Sequence, residues 1–115
     1  MQLNTEMLED KILVIALDGR LDLEGTNAID MQFTMLTMTQ KNAILVDLSR
    51  LDFLASVGVR LLLAGAQGCA AKGGKLVLSN PQPMVEEVLR RSGVATMIPV
   101  YADMQAAREA LREFV

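Results

Sequence analysis

At 115 residues the chain has room for one domain built around one core. Hydrophobic residues make up 51% of it and aromatic ones only 3%, so the core must be layered from Leu, Val, Ile, Met and Ala, and aromatic stacking is not a main mode of recognition. A formal net charge of −3, with no basic cluster anywhere in the sequence, argues against nucleic acid as a partner.

Reading from the N-terminus, a weak strand over Gln2–Met7 leads into a dense apolar run, Lys11–Leu17, which has the composition of a buried strand ending in an Asp18-Gly19 turn. Between Leu23 and Met38 the apolar positions fall closer to helical than to two-residue spacing, so this segment is the first helix. Its methionines, Met31, Met35 and Met38, are expected to fill the core, with a binding groove as the alternative. Asn42–Leu48 is the next strand, and a helix follows over Val57–Lys72 until Gly73-Gly74 stops it. A strand at Lys75–Ser79, a break at Pro81 and Pro83, and a helix over Met84–Arg91 ended by Gly93 repeat the pattern. A short strand over Met97–Tyr101 and a helix over Asp103–Phe114 complete it. Alternating strands and helices imply an α/β fold: a mixed sheet of four to five strands, its first two antiparallel, with about four helices in a single domain spanning 1–115.

The chemistry available is narrow. The chain has no histidine, which removes the commonest general base and metal ligand and every Ser-His or Cys-His nucleophile pair, so neither an enzyme, a metal site nor a cofactor is expected. The Gly-rich stretch Gly65–Lys75 lies inside and after a helix, whereas a phosphate loop lies between a strand and a helix, so Gly65 and Gly68 are read as close-packing positions and Gly73-Gly74 as a helix stop. Cys69, flanked by Gly68 and Ala70, reads as a buried thiol. Met1–Glu6 lacks the basic-then-apolar order of a signal peptide, and the longest apolar stretch, between Arg60 and Lys72, falls short of the ~20 residues of a membrane span, so a soluble, cytoplasmic protein without membrane contact is expected.

The most informative segment is Asp52–Arg60, because Ser56 lies where a loop enters a long helix. Its hydroxyl is placed to cap that helix by accepting an unpaired N–H. A phosphate carried there would meet the positive end of the helix dipole. Spacing alone leaves both readings open. Arg60, one turn later, either shares that surface or simply faces solvent.

Taken together these segments resemble the STAS domain of bacterial anti-sigma factor antagonists. Gly19-Arg20-Leu21-Asp22 is similar to the family's turn before its first helix, Val46-Asp47-Leu48-Ser49 to the end of its third strand, and Phe53-Leu54-Ala55-Ser56-Val57-Gly58 to its phospho-acceptor loop. Further on, Gly73–Pro81 looks like the fourth strand with its exit, and Val88–Gly93 like the helix that follows. The loop departs from the family's Asp-Ser-Ser-Gly or Asp-Ser-Thr-Gly at two places, where Ala55 replaces the acid and Val57 the second hydroxyl. The resemblance implies a partner switch: the unmodified protein binds an anti-sigma factor that is also a serine kinase, and phosphorylation of Ser56 ends the binding. On that reading Asp22, Asp47, Ala55, Ser56, Val57, Gly58 and Arg60 meet the partner. The alternatives are a STAS scaffold subunit that self-associates, for instance as a homodimer, through exposed apolar surface, and a small-ligand-binding STAS module.

Overall fold

Strands form where β-branched and Leu-rich runs can be buried on both faces, and the run beginning at Ile12 meets that condition for longer than its composition suggests. In the computed structural model, which describes residues 1–9, 11–39 and 43–115, the elements are β1 (Gln2–Leu8), β2 (Ile12–Leu21), α1 (Leu23–Thr39), β3 (Ala43–Leu54), α2 (Ser56–Ala71), β4 (Lys75–Ser79), α3 (Pro83–Arg91), β5 (Val100–Tyr101) and α4 (Met104–Phe114). Asn42, the expected first residue of the third strand, lies outside the described residues. The five strands form one sheet in sequential order, with β1 antiparallel to β2 and every other neighbouring pair parallel. The mixed α/β architecture with five strands and four α-helices is therefore the one the sequence predicts.

The sheet is coated unequally. Alternate side chains of β2, β3 and β4, among them Ile15, Leu17, Val46, Leu48 and Leu78, pack on one face against Ile29 and Phe33 of α1, Leu62 of α2 and Val85 and Leu89 of α3. The opposite face presents Ile12, Val14, Leu45 and Val77 to Ala107 and Leu111 of α4. Asp103 caps α4 by accepting the Ala106 N–H at 2.8 Å. Arg112 donates to Glu9, and Arg108 stands 3.7 Å from the same carboxylate, so the turn after β1 is tied to the C-terminal helix.

Three expectations change. The strands read as ending at Leu17 and Leu48 continue to Leu21 and Leu54, pairing Asp18 with Arg50 and Leu21 with Leu54. The strand placed at Met97–Tyr101 shrinks to Val100–Tyr101, because a 3-10 turn over Val94–Thr96 occupies the chain before it and Pro99 has no N–H to give a ladder. The methionines of α1 do not fill the core: Met31, Met35 and Met38 are 78%, 59% and 50% exposed, and the buried positions of that helix are taken by Ile29, Phe33 and Thr37 instead.

The Gly-rich segment behaves as a packing device. A Cβ on Gly65 would lie 2.5 Å from Cε2 of Phe33, so α1 and α2 approach each other only because that position has no side chain. Gly73, at φ +81, ends α2 in a left-handed turn, donating to Ala70 O at 2.9 Å. Gly65→Val should therefore destabilise the fold by about 2–3 kcal/mol, since Phe33 is fully buried and has nowhere to retreat. Urea unfolding would show the loss as a lower midpoint, and an unchanged midpoint would contradict close helix contact at this point.

Candidate functional site

The β2–β3 ladder outruns β4, whose pairing with β3 stops at Asp47↔Ser79. Beyond that point β2 and β3 run together through two irregularities, after Ala16 and after Gly19, and deliver their ends side by side. Each strand then turns straight into a helix, through Asp22 into α1 and through Ala55 into α2. The Ala55 N–H donates to Leu21 O at 2.9 Å, which fixes the two turns against each other. Gly58 tightens the arrangement, because a Cβ there would stand 2.8 Å from Cβ of Leu21 and 2.9 Å from Cδ1 of Leu54.

The two neighbouring helix ends differ chemically. Asp22 caps α1: its Oδ1 accepts the Gly25 N–H at 2.8 Å, and its backbone carbonyl accepts the Thr26 N–H. That Gly25 bond first, and then Arg20, whose Nε lies 3.5 Å from the carboxylate, holds the Asp22 carboxyl below the usual aspartate range. Arg20 also lies over the Phe53 ring, 4.3 Å from its centroid.

At α2 the arrangement corrects the sequence reading. Ser56 is the first residue of the helix and not its cap; Ala55, in extended conformation at φ −94 and ψ 170, occupies the cap position and has only a methyl group to offer. The first intrahelical bond is Val59 N–H to Ala55 O, which leaves the N–H groups of Ser56, Val57 and Gly58 without an intrahelical or capping acceptor. No acidic residue sits in the first turn. Ser56 is exposed, Ala55 and Val57 are half-buried, and Arg60 is exposed one turn further along the same side of the helix. The approach to Ser56 is strand and not loop, since β3 runs to Leu54.

The seven residues singled out from the sequence thus separate. Asp22, Ala55, Ser56, Val57, Gly58 and Arg60 gather around the paired turns. Asp47 stands apart, seven positions before the end of β3 and roughly 20 Å down the strand at ~3.3 Å per residue. Its Oδ1 accepts the Ser49 N–H at 3.0 Å, and it lines, with Asn4, Asp18 and Arg50, a shallow cavity of about 220 Å³ on the α4 side of the sheet. Sequence reasoning missed Arg20 and Phe53 as a stacked pair, and Gln82, whose amide donates to Ser49 O at 2.9 Å and so ties the start of α3 to β3. Only the apolar Leu51, Phe53 and Leu54 around Asp52 hinted that this stretch continues the sheet.

Among the described residues no cluster of His, Cys, Asp and Glu is suited to a metal ion. Cys69 is buried, and burial pushes its thiol pKa up against the pull of Lys72. No helix among the described residues is long and apolar enough to cross a membrane.

The Asp22 cap has a testable pH signature. A carboxyl whose folded pKa is depressed contributes stability that is full above its unfolded value, near ~3.9, and is lost as pH falls through the lower folded value. Asp22→Asn, which keeps an acceptor for Gly25 but no charge, should stay close to wild type at neutral pH and lose less stability below pH ~4 than the wild type does. Asp22→Ala should be less stable at both. Thermal melts of the three proteins across the acid range would decide it, and an Asn variant as acid-sensitive as wild type would sink the assignment.

Comparison with known proteins agrees with this geometry. The STAS domain pattern matches residues 6–107. An anti-sigma F factor antagonist from Paenibacillus polymyxa is 28% identical over 103 residues, covering 88% of this chain and 88% of that protein. The anti-sigma factor antagonist SpoIIAA in its unphosphorylated form superposes with a TM-score of 0.80 at 28% identity, covering 99% of each chain. The phosphorylated form of Bacillus SpoIIAA, a cell fate determinant, superposes with a TM-score of 0.71 at 26% identity, covering 96% of this chain and 99% of that one. With its sheet order, its helices and nearly its whole length accounted for in this way, the chain belongs to the STAS domain family.

Proposed function

We propose that the protein is an anti-sigma factor antagonist of the cytoplasm, acting by binding and not by catalysis, and that phosphorylation of Ser56 by a kinase-like anti-sigma factor switches the binding off. The observation that carries this reading is an exposed serine at the first position of a helix whose first three N–H groups lack an acceptor. The existence of the similar SpoIIAA in both phosphorylated and unphosphorylated forms supports it.

The physical logic runs from charge. Unmodified, the end of α2 offers a partner a small, half-apolar surface of Ala55, Val57 and the Ser56 hydroxyl, with Asp22 on one side and Arg60 on the other. Asp47, further down β3, belongs to the contact only if the partner reaches along the strand. A phosphate adds about −1.5 to −2 charges at the positive end of the helix dipole, where unpaired N–H groups can receive its oxygens. That stabilises the free modified protein. In the complex the same dianion would have to be stripped of water against a surface shaped for a neutral hydroxyl, which is costly. Both effects favour release. Ala55, standing where the family has an acid, removes that negative neighbour of the acceptor, so a phosphate here meets no adjacent carboxylate within the loop.

Incubation with the cognate kinase and ATP, followed by peptide mapping by mass spectrometry, should place the phosphate on Ser56, with Ser56→Ala unlabelled. Label confined to other residues would refute the acceptor assignment. In pull-downs from native lysate, wild type and Ser56→Ala should retain a kinase-like protein, while Ser56→Asp should lose it by about a hundredfold in affinity or more. Equal retention by all three would refute the switch.

A further inference from the structure

The four helices of this domain are not alike on their outer sides. α3 and α4 carry the usual mixture of charges, with Glu86, Glu87, Arg90 and Arg91 on the first and Arg108, Glu109, Arg112 and Glu113 on the second. α1 carries only Glu24 and Asp30, and α2 only Arg60. The outer side of α1 is instead a ridge of Met31, Met35 and Met38 at the i, i+4, i+7 spacing of one helix face. Beside it the exposed stripe of α2 continues from Arg60 through Ala64, Gln67 and Ala71. The two helices are locked together through Gly65 and Phe33, and Met38 lies against Gly68, so ridge and stripe adjoin: knobs of methionine alongside a low stripe in which Ala64 and Ala71 alternate with Arg60 and Gln67.

We infer that this α1–α2 face binds a second copy of the chain as a two-fold symmetric dimer, the methionine ridge of each copy lying on the alanine stripe of the other. Charge selects this occupant. α1 is purely acidic, and α2, with Lys72 at its C-terminal end, purely basic, so a two-fold arrangement that crosses α1 with α2 brings opposite charges together twice and like charges nowhere. The surface thus complements itself, whereas a strongly acidic or strongly basic partner would find half of it repulsive. Size agrees as well. Helices of 17 and 16 residues packed side by side outline roughly 25 Å by 20 Å, or about 500 Å² on each copy and about 1,000 Å² in the pair, the lower bound for a specific interface. Methionine suits the role because its flexible thioether adapts to an irregular partner surface.

Sedimentation equilibrium of the full chain over a micromolar to submillimolar series tests the inference. Wild type should fit a monomer–dimer equilibrium. The double variant Met31→Lys/Met35→Lys should dimerise about a hundredfold more weakly or worse, because two ammonium groups would be buried facing the partner's basic helix. Met84→Lys, an equally exposed methionine at the start of α3, should dimerise like wild type. Circular dichroism establishes that each variant keeps its helices, as expected for substitutions at exposed positions by a good helix former. A wild type that remains monomeric throughout, a double variant that dimerises as well as wild type, or growth into assemblies larger than two would each overturn the inference. None of these measurements touches Ser56, so their outcome is independent of the switch.

Discussion

The structure at the functional end depends on how far β2 and β3 run together after β4 has stopped. Six residues of β3, Leu48–Ser49–Arg50–Leu51–Asp52–Phe53, lie beyond its last pairing with β4 and before the terminal Leu54; β2 flanks them on one edge and the Gln82 tie on the other, while Leu48 and Leu51 are buried in the core. The overrun ends where Leu21 O receives the Ala55 N–H, and from that single bond the two helices leave the sheet at the same height. The start of α2 is thereby set beside the start of α1, with Ser56 exposed.

The juxtaposition of a capped and an uncapped helix follows from the same bond. Asp22 caps the end of α1, and the Gly25 N–H it accepts holds its carboxyl below the usual aspartate range. Ala55 does nothing comparable for α2, so two positive helix ends lie next to each other with one filled and one open. An anion introduced at Ser56 therefore arrives at a position where the fold has already arranged donors and no competing acid in the turn.

Much of this was legible in the residues. The apolar runs beginning at Lys11 and Asn42, the Gly73 stop and the proline break before α3 placed the sheet and its helices, because buried parallel strands and helix ends carry strong local signals. The overrun was not legible. Asp18 and Gly19 read as a turn, and Ser49 and Asp52 interrupt the apolar run after Leu48, yet all four lie in strands, and the irregularities after Ala16 and Gly19 break the two-residue alternation there. A strand taken to end at Leu48 leaves a loop before Ser56, and a serine between a loop and a helix reads as a cap, which places the cap one position later than Ala55. The methionines of α1 misled for a different reason. Their helical spacing is genuine, but periodicity fixes which residues share a face and not whether that face points inward. Ile29 and Phe33 take the core, and the ridge is left for solvent or a partner.

Two surfaces that meet at Arg60 thus emerge from one pair of helices: the small open start of α2, and the flank that α1 and α2 share, with its ridge of exposed methionines. The account rests most heavily on the first. The most direct measurement is the amide footprint of the bound, unmodified protein by NMR or hydrogen exchange, with the proposed kinase-like partner present in excess. The account predicts the largest changes at the amides of 55–60 and 20–25, with α4 and the β1 edge unaffected. A footprint centred on α3 or α4, with the amides of Ser56, Val57 and Gly58 unperturbed, would contradict it.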